Sequence, residues 1–314
     1  MNSIPDDRPQ GSASTPDGAP AWGPRPSPTQ AEQSSDDADG HSNSEFAFTA
    51  SCSSAAKPAD FLPGVSDHSK WKDPVWNGWD VLRLVLVTIV ALILGAFAAL
   101  LVARWRFFPH ASMGEIARIP LVLVAGQSLA YLLILAYMYI LVTRKRRRPD
   151  FLNAVHWNWP ANFSLCVLAG FALAVALQAL AHFLPVPKEL PIDSFFRTAT
   201  EAWALGILSI TLAPLMEELF FRGFLYPVLA RRLGLHVSVF LTALGFALLH
   251  GAQLGFSWGP VLVIFLVGLV LTVVRAKTNS VAAGVVIHMA YNGTITIAMF
   301  AATDGFRHLE RLNQ

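Results

Sequence analysis

The sequence predicts an all-α protein, a polytopic transmembrane bundle of about seven to eight helices that follows a disordered N-terminal tail. Composition is the first reason, because 54% of the residues are hydrophobic and 14% are charged, whereas soluble domains carry about 25% charged residues. The second reason is that acids dominate before residue 80 and bases after it. The third is a series of apolar stretches, each about 20 residues long and therefore able to cross a bilayer.

The tail is predicted over residues 1–75, with the bundle following at 80–302. Ser, Pro, Asp, Gly and Ala dominate it, as in PQGSASTPDGAPAWGPRPSPTQ, and such a segment buries too little apolar surface to offset the entropy of ordering. It also lacks the apolar core of a signal peptide. Trp71, Trp76 and Trp79 close the tail. Because tryptophan favours the interface between lipid and water, we expect these rings to lie there.

The spanning helices follow in order from Leu84 onward. Seven are predicted, near residues 84–103, 119–143, 163–184, 204–226, 238–257, 259–275 and 280–302.

Orientation is predicted from the basic run RKRRR at 144–148, which directly follows the second predicted helix. Basic loops beside spanning helices lie in the cytoplasm, so the N-terminus is expected there too. A nucleic-acid surface is the alternative use of such a run, but its position at a helix end favours the membrane interpretation. The sequence therefore predicts an integral multi-pass protein whose surroundings are lipid, with no nucleic-acid partner.

Two acids stand out because they are the only ones between residues 202 and 303: Glu217 and Glu218. A charged side chain at a bilayer centre costs about 2.5 to 3.5 kcal/mol, so each needs a partner. Residues four apart share a helix face, whereas adjacent residues point in different directions. Glu218 is therefore expected to pair with Arg222, which leaves Glu217 facing elsewhere. The structural alternative is that all three form one ion-pair cluster that only fixes helix packing.

Two later helices carry polar pairs at the same spacing of four. FALLH places Phe246 and His250 on one face, and HMAYN does the same for His288 and Asn292. A single histidine in a membrane helix usually only bonds to a neighbouring helix. At 1.5 Å per residue, however, both histidines and Glu217 come to similar depths. A carboxylate, two imidazoles and a carboxamide in one cavity suit the hydrolysis of an amide by water.

The segments EELFFR, FALLH and HMAYN, in this order, resemble the EExxxR, FxxxH and HxxxN motifs of the CPBP family of intramembrane proteases, also called the Abi or CAAX protease family. Rce1-type enzymes form its eukaryotic branch. The resemblance covers about residues 200–300, which is the expected catalytic core. It implies that Glu218 and Arg222 are the supporting pair.

The resemblance also implies the roles of the remaining residues. Glu217 would be the general base that acts on water, helped by His250, and His288 with Asn292 would form the oxyanion hole. If a divalent metal such as zinc is used, Glu217, His250 and His288 would be its three ligands, with water in the fourth position. The implied substrate is a prenylated peptide or a membrane protein, and the implied location is the bacterial inner membrane.

Two other functions are left open by the sequence. A non-proteolytic membrane scaffold or a bacteriocin-immunity-type protein is one, since some relatives of this kind have these roles and a fold does not determine chemistry. A proton-coupled carrier is the other, because buried Glu and His suit proton transfer. The chain lacks the internal repeat that is typical of carriers.

Overall fold

The computed structural model describes residues 74–187 and 189–313, and within these ranges the chain is helical with no β-strand. The predicted all-α class is therefore confirmed for the described part of the chain. The predicted disordered tail, with Trp71, lies outside these residues apart from its last two positions.

Ten α-helices occur in the described ranges, and two of them are followed by π-helical turns. The helices are α1 (Gly78–Arg106), α2 (Met113–Ile116), α3 (Pro120–Ile140), α4 (Phe151–Ala154), α5 (Phe163–Ala181), α6 (Ala199–Ile210), α7 (Leu212–Glu218), α8 (Tyr226–His250), α9 (Trp258–Thr278) and α10 (Val281–Ala302). The π-helical turns are Leu141–Lys145 after α3 and Leu219–Leu225 between α7 and α8.

Six helical segments of the described chain are long and apolar enough to cross a membrane. One of them, Ala199–His250, runs for 52 residues through α6, α7 and α8, far more than the 20 or so that a bilayer requires. The protein is therefore a multi-pass membrane protein, and its longest segment needs a separate explanation.

That segment is a hairpin whose corner is Gly234. The backbone of Gly234 is non-helical, with φ 75° and ψ 178°. The rings of Phe221 and Phe246 then lie 5.3 Å apart, although 25 residues of straight helix would separate them by about 37 Å. The two arms are therefore counted separately, which raises the candidate crossings of the described residues from six to seven, roughly the predicted number.

The boundaries of this hairpin differ from the predicted ones. Helices were expected at 204–226 and 238–257, with a loop between them, but helical structure continues on both sides of Gly234. The second arm ends at His250 rather than at 257. The α-helical hydrogen bonds stop there, because the backbone N–H of Gly251 donates to the Leu248 carbonyl oxygen, three residues back, at 3.1 Å. Positive φ values of 57° at Gly255 and 53° at Phe256 then prevent the α-helix from resuming before residue 257.

Hydrogen-bonded caps determine where the helices that carry the site begin. Thr198 and Glu201 form a capping box at the start of α6, in which each side chain binds the other residue's backbone N–H. At the start of α10, the Ser280 hydroxyl accepts from the backbone N–H of Ala283 at 3.0 Å. These caps satisfy N–H groups that a helix leaves without partners in its first turn.

The basic segments gather at one end of the bundle, around the start of α1. Asp80 is fully buried there, and its carboxylate accepts from Lys145 at 3.4 Å and from Arg146. Arg231 donates to the carbonyl oxygen of Trp76 at 3.1 Å. The start of α1, the end of α3 and the first arm of the hairpin therefore meet at what we call the basic end. Its cytoplasmic location stays a prediction.

Trp76 corrects one prediction about the bilayer interface. Its side chain is 1% exposed, stacks on Phe224 with ring centroids 4.5 Å apart, and donates its indole N–H to the Phe224 carbonyl oxygen at 3.1 Å. Its hydrogen bond is satisfied inside the protein, so the ring packs in the bundle and not against lipid. Trp79 is exposed, as expected of an interfacial ring.

We expect Gly234→Ala to destabilise the fold by about 1 to 3 kcal/mol, because its backbone lies in a region that is nearly exclusive to glycine. Gly114→Ala is the matched control, since a Cβ there also meets no atom within 4 Å and its φ is not positive. The measurement is the thermal unfolding midpoint of each purified variant in detergent. Equal midpoints for the two variants would contradict a glycine-dependent corner.

Candidate active site

The two glutamates end α7, immediately before the π-helical turn Leu219–Leu225. A π-helical turn contains more residues per turn than an α-helix and occurs often at functional sites. Here the wider π-helical turn changes the direction in which the side chains after Glu218 point. Further upstream, Thr211 has φ −112° and ψ −83°, a break that separates α6 from α7 and sets the direction of the short helix that carries the glutamates.

Glu218 and Arg222 form the predicted pair. Their Oε1 and Nη1 atoms lie 2.8 Å apart, and both side chains are fully buried. Arg222 donates further to the carbonyl oxygen of Gly268 at 2.9 Å and to the hydroxyl of Thr272 at 3.3 Å. A buried ion pair is stabilised when further hydrogen bonds satisfy the remaining donors of its cation. Helix α9 therefore provides the partners that keep Arg222 charged inside the bundle.

Phe246 packs at the centre of the site. The Arg222 guanidinium lies 4.7 Å from the centroid of its ring, which is the distance of a cation–π contact. The same ring lies 4.8 Å from the His250 ring and 5.8 Å from the His288 ring. Phe246 thus lies between the buried ion pair and His250 and packs against both imidazole rings.

Glu217 lies between the two histidines. Its Oε1 is 3.9 Å from Nε2 of His250, and its Oε2 is 3.8 Å from Nε2 of His288. The hairpin explains the first contact, because Gly234 follows Glu217 by 17 residues and precedes His250 by 16. Arms of nearly equal length return His250 to the level of Glu217. The Glu217 side chain is 16% exposed, so it is more accessible than the buried Glu218.

The hydrogen bonds of the imidazoles determine which nitrogen of each ring carries the proton. Nδ1 of His250 lies 2.8 Å from the Phe246 carbonyl oxygen, which can only accept, so Nδ1 is the donor. Nδ1 of His288 lies 3.0 Å from Oε1 of Glu218, an oxygen that also accepts from Arg222. In the neutral form, both rings therefore present a bare Nε2 lone pair towards Glu217.

The Glu217 carboxylate and the Nε2 atoms of His250 and His288 are therefore three acceptors that face one another, and each needs a hydrogen-bond donor. Separations of 3.8 and 3.9 Å are too long for a direct hydrogen bond and suit groups that share a water molecule. Water supplies two O–H groups. The arrangement is therefore suited to orienting a water molecule between the Glu217 carboxylate and an imidazole.

The predicted zinc ligands are Glu217, His250 and His288, and their geometry does not fit a zinc ion. Donor atoms of a tetrahedral zinc site lie roughly 3.4 Å apart, given bond lengths of about 2.0 to 2.2 Å. The separations from Glu217 to the histidines exceed this value. Within the described ranges no group of three His, Cys, Asp or Glu residues is arranged to hold a metal.

Asn292 is anchored differently from the other predicted site residues. Its amide nitrogen donates to the carbonyl oxygen of Ser209 on α6 at 2.7 Å. The structure thus brings Glu217, His250 and His288 together, whereas Asn292 joins α10 to α6 one helical turn beyond His288. One of its two amide N–H groups is used in that bond, which leaves the second for another acceptor.

Several residues of the site were not predicted from the sequence. Gly268 and Thr272 hold Arg222, and their spacing of four within the apolar α9 is a signal that was available, because Thr272 is a polar residue in a membrane helix. Ser209 contributes a backbone carbonyl, for which the sequence holds no signal.

A comparison with protein families gives one match. Residues 199–294 match the family described as type II CAAX prenyl endopeptidase Rce1-like. The matched segment extends from α6 into α10, and it contains all six predicted site residues: Glu217, Glu218, Arg222, His250, His288 and Asn292. Neither the curated proteins nor the solved structures give a match. The family resemblance that the three motifs indicate is confirmed for this segment.

We expect Arg222→Met to destabilise the folded protein by about 3 to 5 kcal/mol, because the substitution leaves Glu218 as an uncompensated buried charge. Arg307→Met is the control, since Arg307 pairs with Asp304 at the surface and exposed pairs contribute about 0 to 1 kcal/mol. Thermal unfolding in detergent measures both effects. A midpoint for Arg222→Met as high as that of the control would contradict a stabilising role for the buried pair.

Proposed function

We propose that this chain, which carries the Rce1-like segment 199–294, is an intramembrane endopeptidase of the CAAX prenyl type. The observation that carries the proposal is the position of Glu217 between two imidazoles, with Nε2 of His250 at 3.9 Å and Nε2 of His288 at 3.8 Å. Glu217 has no arginine as an ion-pair partner, because Arg222 binds Glu218. It is the group available for chemistry.

Water is the proposed nucleophile. It donates one hydrogen bond to the Glu217 carboxylate and the other to Nε2 of His250, so that an oxygen lone pair points at the scissile carbonyl carbon. Glu217 accepts a proton as the C–O bond forms. When the C–N bond breaks, that proton passes to the leaving amine. The products are a carboxylic acid and an amine, and no covalent enzyme intermediate is required.

The oxyanion would be stabilised by His288 and Asn292. Because Nδ1 of His288 donates to Glu218, its Nε2 can donate only when the ring is an imidazolium. The carboxylates of Glu217 and Glu218 then balance the charges of His288 and Arg222. The second N–H of the Asn292 amide is the other proposed donor. Donors placed before the reaction are effective because the bundle excludes most of the water that would otherwise compete.

The proposed substrate is a prenylated peptide or a membrane protein, in line with the Rce1-like match. An apolar surface surrounds the bundle, so a lipidated substrate can approach from the bilayer. The proposed orientation has the N-terminus in the cytoplasm, because the basic run at 144–148 lies at the same end as the start of α1. The proposed location, a bacterial inner membrane, follows from the family resemblance alone.

We expect Glu217→Gln to lower peptide cleavage by about 10² to 10⁴-fold, the range that a general base contributes, without a change in the unfolding midpoint. The assay measures cleavage of a farnesylated peptide by the purified protein in proteoliposomes. Glu310→Gln is the control, because Glu310 is an exposed acid near the C-terminus. A wild-type protein without cleavage, and a cellular phenotype that survives Glu217→Gln, would favour the scaffold or immunity-type function.

The same preparations test for a metal. Because the donor separations do not fit zinc, we expect cleavage to continue after chelation and the zinc content to lie well below one per chain. Stoichiometric zinc in the wild type, reduced in both Glu217→Gln and His250→Ala, would overturn this expectation.

We expect Asn292→Ala to lower kcat by about 10² to 10³-fold with little change in KM, the effect of losing one oxyanion donor. Thr294→Val is the control, because Thr294 lies nearby on α10 and its hydroxyl bonds only within that helix, to the Ala290 carbonyl oxygen at 2.8 Å. A rise in KM at constant kcat would instead assign Asn292 to substrate binding.

A further inference from the structure

An apolar groove opens on the outside of the bundle, between α3 on one side and α4 with α7 on the other. Its volume is about 620 Å³, and its lining is entirely apolar or aromatic. Leu132, Ala136 and Tyr139 line the α3 wall, and Leu152 and Trp157 line the opposite one. Ala136, Tyr139 and Leu152 are exposed, so the groove is open to the surrounding lipid and is not an interior void.

The basic run connects the two walls of this groove. Residues 144–148 leave the end of α3 and lead directly into α4. Lys145 and Arg146 are held by Asp80, whereas Arg144 and Arg147 are exposed. These two arginines follow Tyr139, a lining residue of the groove, by five and eight positions and are available to bind an anion.

One acid lies near these arginines. Asp150 precedes α4, and its carboxylate accepts from the backbone N–H of Asn153 at 3.0 Å, so it caps the helix and does not pair with Arg144 or Arg147. The local charge at the groove mouth thus remains positive. A ligand with an anionic head and an attached hydrocarbon chain matches this surface along its whole length.

Aromatic side chains mark the same level of the bundle. Tyr139 and Trp157 line the groove, and Trp159, which contacts Trp157 with ring centroids 5.8 Å apart, is exposed. Such rings are typical of the zone where lipid head groups meet hydrocarbon. The groove therefore lies with its basic mouth at the head-group level and its apolar part below it, as a bilayer phospholipid would.

We propose that this groove binds an anionic phospholipid of the bilayer, with the phosphate at Arg144 and Arg147 and an acyl chain along α3 and α7. Basic pockets between membrane helices bind such head groups in this manner. Leu215 and Leu219 also line the groove, and they flank the two glutamates of α7. The bound chain therefore contacts the helix that carries the candidate active site. The proposal does not depend on the proposed peptidase activity.

The test uses the fluorescence of Trp157, which lines the groove. Full-length protein is reconstituted in phosphatidylcholine vesicles that contain increasing fractions of brominated phosphatidylglycerol or of brominated phosphatidylcholine, since bromine quenches tryptophan on contact. The difference between the wild type and Trp157→Phe isolates the signal of this residue. We expect stronger quenching by the brominated anionic lipid at equal mole fraction.

Two sets of variants distinguish lipid binding in the groove from general attraction of lipid to the protein surface. Arg144→Gln with Arg147→Gln is expected to lower the preference for phosphatidylglycerol by roughly fivefold for each arginine, which corresponds to about 1 kcal/mol. Arg106→Gln with Arg118→Gln is the control, because these arginines are exposed and distant in sequence from the groove. Ala136→Phe is expected to reduce Trp157 quenching by filling the groove, and Ala172→Phe on α5 is its control.

Three results would overturn the proposal. The first is equal quenching of Trp157 by both brominated lipids in the wild type. The second is an equal loss of preference in both arginine double variants, which would indicate a general charge effect. The third is relief of quenching by a farnesylated peptide without any head-group preference, which would make the groove a substrate site.

Discussion

The constraint on which this structure depends is the burial of the Glu218–Arg222 pair among apolar helices. Two ions removed from water are stable only if every charge is matched and nearly every donor is used. Arg222 therefore binds Glu218, the Gly268 carbonyl and Thr272, and Glu218 also binds His288. These contacts connect α7 to α9 and α10, so the position of each helix depends on the same ionic cluster.

The cluster also imposes requirements on its neighbours. The second carboxylate oxygen of Glu218 is buried without a hydrogen-bond partner and faces Gly284 so closely that a Cβ there would lie 2.7 Å from it. A residue larger than glycine would push the carboxylate away from His288. Because Arg222 pairs with Glu218, the adjacent Glu217 has no arginine partner and lies between two imidazoles. The buried, paired carboxylate and the more exposed one thus belong to adjacent residues that point about 100° apart around the helix.

Charged and polar groups lie at two different depths of the bundle. At the basic end, Asp80 gathers Lys145 and Arg146 around the start of α1. The imidazoles lie deeper, where Glu217 is 16% exposed and water is scarce. Low polarity around the site strengthens hydrogen bonds to developing charge. The groove beside α3 is lined by residues of α3, of α4 and of α7 with the turn after it, so one apolar surface connects the helix that ends in the basic run to the helix that carries the two glutamates.

The sequence by itself determined the membrane class, the approximate number of crossings, the pairing of Glu218 with Arg222 and the family resemblance. These features depend on composition and on spacing within single helices. Because an α-helix has 3.6 residues per turn, the spacing shows which residues share a face. The tertiary structure alone decided that the hairpin turns at Gly234, that Trp76 packs on Phe224, that Asn292 contacts Ser209, and that both imidazoles turn Nε2 towards Glu217. Such contacts join different helices, and a π-helical turn or a glycine corner changes which atoms meet across the bundle. Spacing along the chain carries no information about those rotations.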